Sequence, residues 1–159
     1  MNLHTIATDL HEVLTEEYLL SGELLDLIGR ERQQLLSGDH AGMNQCIESK
    51  HGLLDRLQNA TNRRLHLLRS EGLNTNPALP GHWTDALSAF PALAEQHAQL
   101  LDVVQHLREE NQVLGHMLNR KGHFITRLLD RMRPENAMPV YGRNGSHYHE
   151  AGTRKLISV

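Results

Sequence analysis

The sequence predicts an all-α protein: an elongated antiparallel bundle of three long helices, with an irregular C-terminal tail. The 159-residue chain is 39% hydrophobic but only 4% aromatic, so its apolar content is mostly aliphatic. Leucine is a strong helix former, whereas the residues that favour strands are scarce. Apolar residues also recur at steps of three and four, which places them on one helical face. We therefore expect a helical domain over residues 1–133 and a flexible tail over residues 134–159.

The first segment carries an apolar stripe that predicts one long helix. No proline interrupts it, and the length of the stripe should override the two internal glycines, Gly22 and Gly29. Gly38 supplies a C-terminal stop, and Asp39 can cap the next helix. The stripe consists of Leu3, Ile6, Leu10, Val13, Leu20, Leu24 and Leu27, with Glu17 in its one polar position.

A second helix is predicted from about His40 to Glu71, with a weaker stripe that Lys50 and Thr61 interrupt. Gly72 is expected to follow its end, and the next nine residues are dense in turn formers. The apolar positions of this helix are Met43, Ile47, Leu54, Leu57, Leu65 and Leu68.

The third long helix has the most regular pattern in the chain. A short helix is predicted over Trp83–Ala89. Pro91 then either kinks a continuing helix or starts a new one at its first position, and we prefer the second interpretation. Steps of four and three continue to Met132, so we expect one helix of roughly 60 Å that Pro134 terminates.

Three polar residues, His97, Asn111 and Lys121, interrupt the stripe of the last helix. A buried polar residue at such a position can fix register or oligomeric state. Alternatively, the stripe is only partly covered and the polar groups reach water. We favour the second interpretation.

Composition and motifs argue against several functions. The net charge is -3 and no basic stripe suggests nucleic-acid binding; the densest basic cluster, Arg127, Arg131 and Arg133, suits a helix C-terminus. No apolar run approaches the roughly 18–20 residues of a membrane span, and no signal-peptide pattern starts the chain. We expect a cytoplasmic protein, with the single Cys46 packed and inert. No phosphate loop or nucleophile motif is present, so neither an enzyme nor a cofactor is expected.

The twelve histidines do not form a recognisable metal motif. The helical pair His4 and His11 is spaced by seven residues, about 10 Å, which is too far to share one ion. The pair His116 and His123 has the same spacing. In the tail, the closely spaced His147 and His149 could chelate a metal weakly, but no dedicated site is expected.

The order of five features resembles the FlgN family of flagellar type III export chaperones over nearly the whole chain. Each feature is weak alone, and the glycine-containing element of the tail is the most specific. The features are the Gly38-Asp39 turn, Lys50 followed by Leu53-Leu54, the pair Arg63-Arg64, Asn111 within the last stripe, and Tyr141-Gly142-Arg143-Asn144-Gly145.

This resemblance implies a non-catalytic role in the cytoplasm. FlgN-like chaperones bind the hook-associated proteins FlgK and FlgL, prevent their premature assembly and deliver them to the export gate protein FlhA. Tyr141 would dock on the gate. The cargo-binding residues implied for this chain are Leu114, Leu118, Ile125, Leu128 and Met132. The alternative is a self-associating coiled-coil scaffold without a specific client, and a weak homodimer is left open.

Overall fold

The computed structural model describes residues 3–118 and 123–132, and within these ranges the chain is helical apart from its connections. The elements are α1 (Leu3–Ser37), α2 (His40–Ser70), a 3₁₀ helix (Trp83–Ala89), α3 (Pro91–Met117) and α4 (His123–Met132). The all-α class is confirmed. Within the described part, none of these helices combines the length and apolar character needed to cross a membrane.

Both long N-terminal helices end where the glycines predict. Gly38 and Gly72 have φ values of 73° and 68°, a conformation that glycine adopts without steric cost. After Gly38, the backbone N–H of Asp39 donates to the carbonyl of Gln34 at 3.0 Å, which satisfies an otherwise unpaired carbonyl of α1. Asp39 also caps α2 as predicted, because its Oδ1 accepts from the backbone N–H of Gly42 at 2.9 Å.

Pro91 starts a new helix rather than kinking an existing one. Phe90, the residue before it, is extended at φ -134° and ψ 74°. The preceding segment, Trp83–Ala89, is helical as predicted, but it is a 3₁₀ helix rather than an α-helix. It buries Trp83 and Leu87 against the bundle.

The α1 helix packs against both α2 and α3. Ion pairs occur in opposite order along α1 and α2, since Glu31 meets Lys50 and Glu17 meets Arg64. The two helices are therefore antiparallel, as the short connection between them predicts.

The third helix runs parallel to α1. The ring of His4 contacts that of Phe90 near the start of both helices, with centroids 4.6 Å apart. Near their ends, Arg32 donates to Glu110 at 2.6 Å. The order is therefore up, down and up, with the C-terminal ends of α1 and α3 at the same end of the bundle.

The prediction of a single helix from Pro91 to Met132 is wrong. The α3 helix ends at Met117, and α4 folds back to pack against α3 and α2. The guanidinium of Arg108 contacts the carboxylate of Asp130, which fixes the antiparallel direction of α4. Apolar spacing cannot separate one long helix from two shorter ones that bury their stripes in the same core.

Within the part of the chain that the structure describes, the core therefore contains four α-helices rather than three. From α4, Leu128, Leu129 and Met132 are 4%, 0% and 2% exposed and belong to the same apolar cluster as the leucines of α1 and α3. The chain thus uses its own fourth helix to cover part of the apolar surface that α2 and α3 present.

The interpretation that the polar interruptions reach water is also wrong where it can be checked. His97 and Asn111 are 6% and 7% exposed. Lys121 lies outside the described residues. The α3 stripe is covered along its length, so its polar residues are buried with it.

Candidate protein-binding site

The residues predicted to bind cargo lie on the hairpin of α3 and α4, mostly on its inner side. Leu114, Leu128 and Met132 are buried in the core, and Leu118 is partly buried against it. The side chain of Ile125 lies outside the described residues, although its backbone belongs to α4. A partner could reach the buried members of this set only after α4 separates from the bundle.

Tyr141, predicted to dock on the export gate, lies outside the described residues, as do all residues from 133 onward. The division into a domain over residues 1–133 and a tail over residues 134–159 therefore stays a prediction.

The apolar side chains that are exposed near this hairpin are not the ones predicted to bind cargo. Val113 and Met117 are 43% and 38% exposed, and their spacing of four residues places them on one face of α3. Leu36, at the end of α1, is exposed as well. Because α1 and α3 are parallel, all three lie toward the same end of the bundle. Apolar periodicity does not single them out, because they fall beside the buried stripes rather than within them.

A buried polar cluster joins α1 to α2 near the middle of the bundle. Arg64 donates from Nε to Oε2 of Glu17 at 2.8 Å, and Thr61 donates from Oγ1 to the other carboxylate oxygen at 2.8 Å. Further along, Lys50 donates to Glu31 at 2.5 Å, and this carboxylate is also buried. Breaking such contacts exposes unpaired charge to an apolar interior, so α1 and α2 form a fixed scaffold.

His97 extends this cluster to α3. Its ring meets that of Trp83 edge to face at 4.9 Å between centroids. Burial, together with smaller effects of the neighbouring Arg64 and His82, lowers the pKa of His97 to about 4. The imidazole is therefore neutral at pH 7 and packs as a polar core residue.

The described residues offer no grouping of three or more His, Cys, Asp or Glu side chains suited to a metal ion. The tail residues His147 and His149 lie outside them. Cys46 is buried as predicted, and its Sγ lies 3.0 Å from Oε1 of Gln34. The features that suit contact with a protein are therefore the amphipathic α3–α4 hairpin and the exposed apolar side chains of Leu36, Val113 and Met117.

Comparison with known proteins decides the family. The family described as FlgN protein matches residues 1–149, which is nearly the whole chain. The chain belongs to the FlgN family. The resemblance inferred from the five sequence features is confirmed.

The FlgN fold is also seen in a solved structure. A protein described as a flagella synthesis protein FlgN, from Pseudomonas aeruginosa, is similar with a TM-score of 0.65 at 20% sequence identity. The similarity covers 79% of this chain and 96% of that one. Comparison with curated proteins gave no match. Because the sequence identity is only 20%, the structural similarity supports the fold alone. The family match supports a role of the flagellar export chaperone type.

Proposed function

We propose that this FlgN family member is a cytoplasmic export chaperone for hook-associated proteins of the FlgK and FlgL type. It would bind their helical segments, prevent premature assembly and deliver them to FlhA at the flagellar type III export gate. The observation that carries this proposal is the family match over residues 1–149. The amphipathic α3–α4 hairpin supplies a surface of the kind that the role requires.

The hairpin suits a carrier because α4 is short. A helix of ten residues is not stable by itself in water, so its helicity depends on docking to the bundle. The apolar residues of α4 cover a surface of α2 and α3. Another amphipathic helix, with apolar residues at the same helical spacing, could bind that surface in its place. Cargo would then contact Leu118 and the outer end of α3 first, and reach the buried leucines as α4 moves.

Delivery would use the residues after Pro134. In this proposal Tyr141 contacts FlhA while the bundle retains the cargo. Separating the two contacts on one chain allows the gate to recognise a loaded chaperone without competing for the cargo surface.

A secretion assay tests the role in cells. Removing the gene from its flagellated host should reduce export of the hook-associated proteins, and the intact gene should restore it. A gene carrying Tyr141→Ala should restore cargo binding but not export. The proposal fails if export is unchanged in the deletion strain.

The alternative, a self-associating scaffold, predicts a different oligomeric state. Sedimentation equilibrium of the purified chain would give a stable dimer or larger oligomer at micromolar concentration. The chaperone proposal predicts a chain that binds cargo as a monomer, with at most weak self-association.

A further inference from the structure

A pocket of about 210 Å³ opens beside the buried polar cluster. It lies between the end of α2, the connection that follows, the start of α3 and the end of α4. Its lining includes Arg64, Arg69, Trp83, Asp130, Arg131 and Met132. Since a water molecule occupies about 30 Å³ of liquid, the pocket has room for a small organic group and not only an ion.

The pocket is rich in cationic donors. Arg64 is 4% exposed, and its Nη2 has no hydrogen-bond partner within the part of the chain that the structure describes. That nitrogen is itself buried, but a guanidinium has five N–H donors, and in the described part Glu17 accepts only from the one on Nε. Arg64 therefore keeps donors for an acceptor in the pocket that it lines. Arg69 and Arg131 are exposed and line the same pocket.

Little negative charge balances these groups. Glu17, which lies outside the lining, is the counter-charge of Arg64. Asp130, the one carboxylate among the described lining residues, contacts Arg108 outside the pocket. With these two ion pairs counted, the described lining keeps the positive charges of Arg69 and Arg131, which favours an anion.

The apolar part of the lining favours an organic anion over an inorganic one. Trp83 and Met132 are buried, and Leu65 and Pro77 add further apolar surface. Cζ of Arg64 lies 5.7 Å from the centroid of the Trp83 ring. A strongly hydrated inorganic ion gains nothing from such walls, whereas a carboxylate on a short carbon chain buries its methylene groups against them.

We propose that this pocket binds a small organic carboxylate, held by Arg64, Arg69 and Arg131 with its carbon chain against Trp83. The acidic side chain of a bound protein segment and a free carboxylic acid share this chemistry. The pocket shares Met132 with the proposed cargo-binding residues. Its test measures carboxylate binding alone, so a negative result there does not bear on the export role.

Fluorescence of Trp83 tests the proposal directly, because it is the only tryptophan in the chain. The full chain is titrated at pH 7 with N-acetyl-glutamic acid α-amide, with its glutamine counterpart, with glutarate and with inorganic phosphate, at constant ionic strength. We expect a saturable change for at least one of the two carboxylates and binding at least tenfold weaker for the amide and for phosphate. Tighter binding of the acetylated probe supports a protein side chain as the source, and tighter binding of glutarate supports a free acid.

Two variants separate the site from general electrostatics. Arg69→Gln with Arg131→Gln removes two exposed cations of the pocket without touching the core, and should weaken carboxylate binding at least tenfold. Arg56→Gln, an exposed position on the same α2 helix outside the pocket lining, should leave it unchanged. The proposal is overturned if neither carboxylate gives a saturable signal, if phosphate binds more tightly than both, or if the double variant binds as the parent does.

Discussion

Arg64 of α2 and Glu17 of α1 form an ion pair of 2.8 Å with side chains that are only 4% and 0% exposed. Glu17 occupies the single polar position in the α1 stripe, so this pair explains why a carboxylate is tolerated in an otherwise leucine-lined core. Thr61 satisfies the second carboxylate oxygen, which leaves Glu17 fully partnered. The pair sets the register between the first two helices.

Replacing Glu17 with Leu should destabilise the protein by about 3–5 kcal/mol, because Arg64 would remain buried without its counter-charge. The double variant Glu17→Leu with Arg64→Met should recover much of that loss, since no buried charge remains. Urea unfolding followed by circular dichroism measures both.

The neighbouring pair of Glu16 and Arg63 provides the control, because both side chains are substantially exposed. Glu16→Gln should change the free energy of unfolding by less than about 1 kcal/mol. Equal effects of Glu16→Gln and Glu17→Leu would show that the buried pair has no special role.

Stability should depend on pH through His97. Its pKa is about 4 in the folded chain, mainly because of burial, against 6.5 as the ordinary value. Between these values the unfolded chain binds a proton that the folded chain does not, so the free energy of unfolding falls as the pH is lowered. The contribution is fully present above pH 6.5 and loses at most about 3 kcal/mol by pH 4.

The groups that face His97 are Arg64 from α2 and His82 from the connection before α3, with Trp83 against its ring. Urea unfolding of the parent and of His97→Leu between pH 4 and 7 measures the effect. The variant should show a shallower dependence on pH, whereas His106→Gln, at an exposed position of α3, controls for the loss of one histidine. Identical slopes for the parent and His97→Leu would contradict the assignment.

The fourth helix should open separately from the rest of the bundle. Leu129 is fully buried, so Leu129→Ala removes about 2–5 kcal/mol of packing from a helix that cannot persist alone. Hydrogen exchange of residues 123–132 should accelerate while the amides of α1 and α2 stay protected. Arg131→Ala, at an exposed position of α4, should have little effect. An equal acceleration in all helices would mean that α4 is not a separate unit.

Gly29, inside α1, and Gly38, just after its end, should respond in opposite directions to alanine. Gly29 lies inside the helix, and a Cβ added there would meet no neighbouring group within 4 Å, so Gly29→Ala should stabilise by up to about 1 kcal/mol. Gly38 has space as well but adopts a φ of 73°, so Gly38→Ala should destabilise by about 1 kcal/mol through backbone strain alone. Thermal unfolding of the two variants measures the contrast, and a shift of the same sign in both would refute it.

The helices whose ends are encoded locally could be predicted from the sequence. The Gly38-Asp39 turn and Pro91 act through their own backbone preferences, so their effects do not depend on the rest of the fold. The break between α3 and α4 could not be predicted in the same way, because both helices face one core and the apolar spacing continues across it.

The protein-binding site could be predicted only in part, because apolar spacing does not show which other segment covers a helix face. The resemblance to FlgN pointed to the C-terminal helices, but periodicity says which residues share a face and not what covers that face. Leu114 and Met132 were expected to face a partner and are covered by the chain itself. In the sequence Arg64 only precedes the apolar position Leu65, and its pairing with Glu17 depends on the packing of two distant segments.

Titration calorimetry with a purified FlgK-like or FlgL-like protein of the same organism tests the central claim most directly. The intact chain should bind at least one of them in a 1:1 complex, and Leu118→Asp should abolish the heat of binding while circular dichroism shows retained helicity. Arg56→Gln should bind as the parent does. Absence of binding by the intact, folded chain to both proteins would contradict the chaperone role.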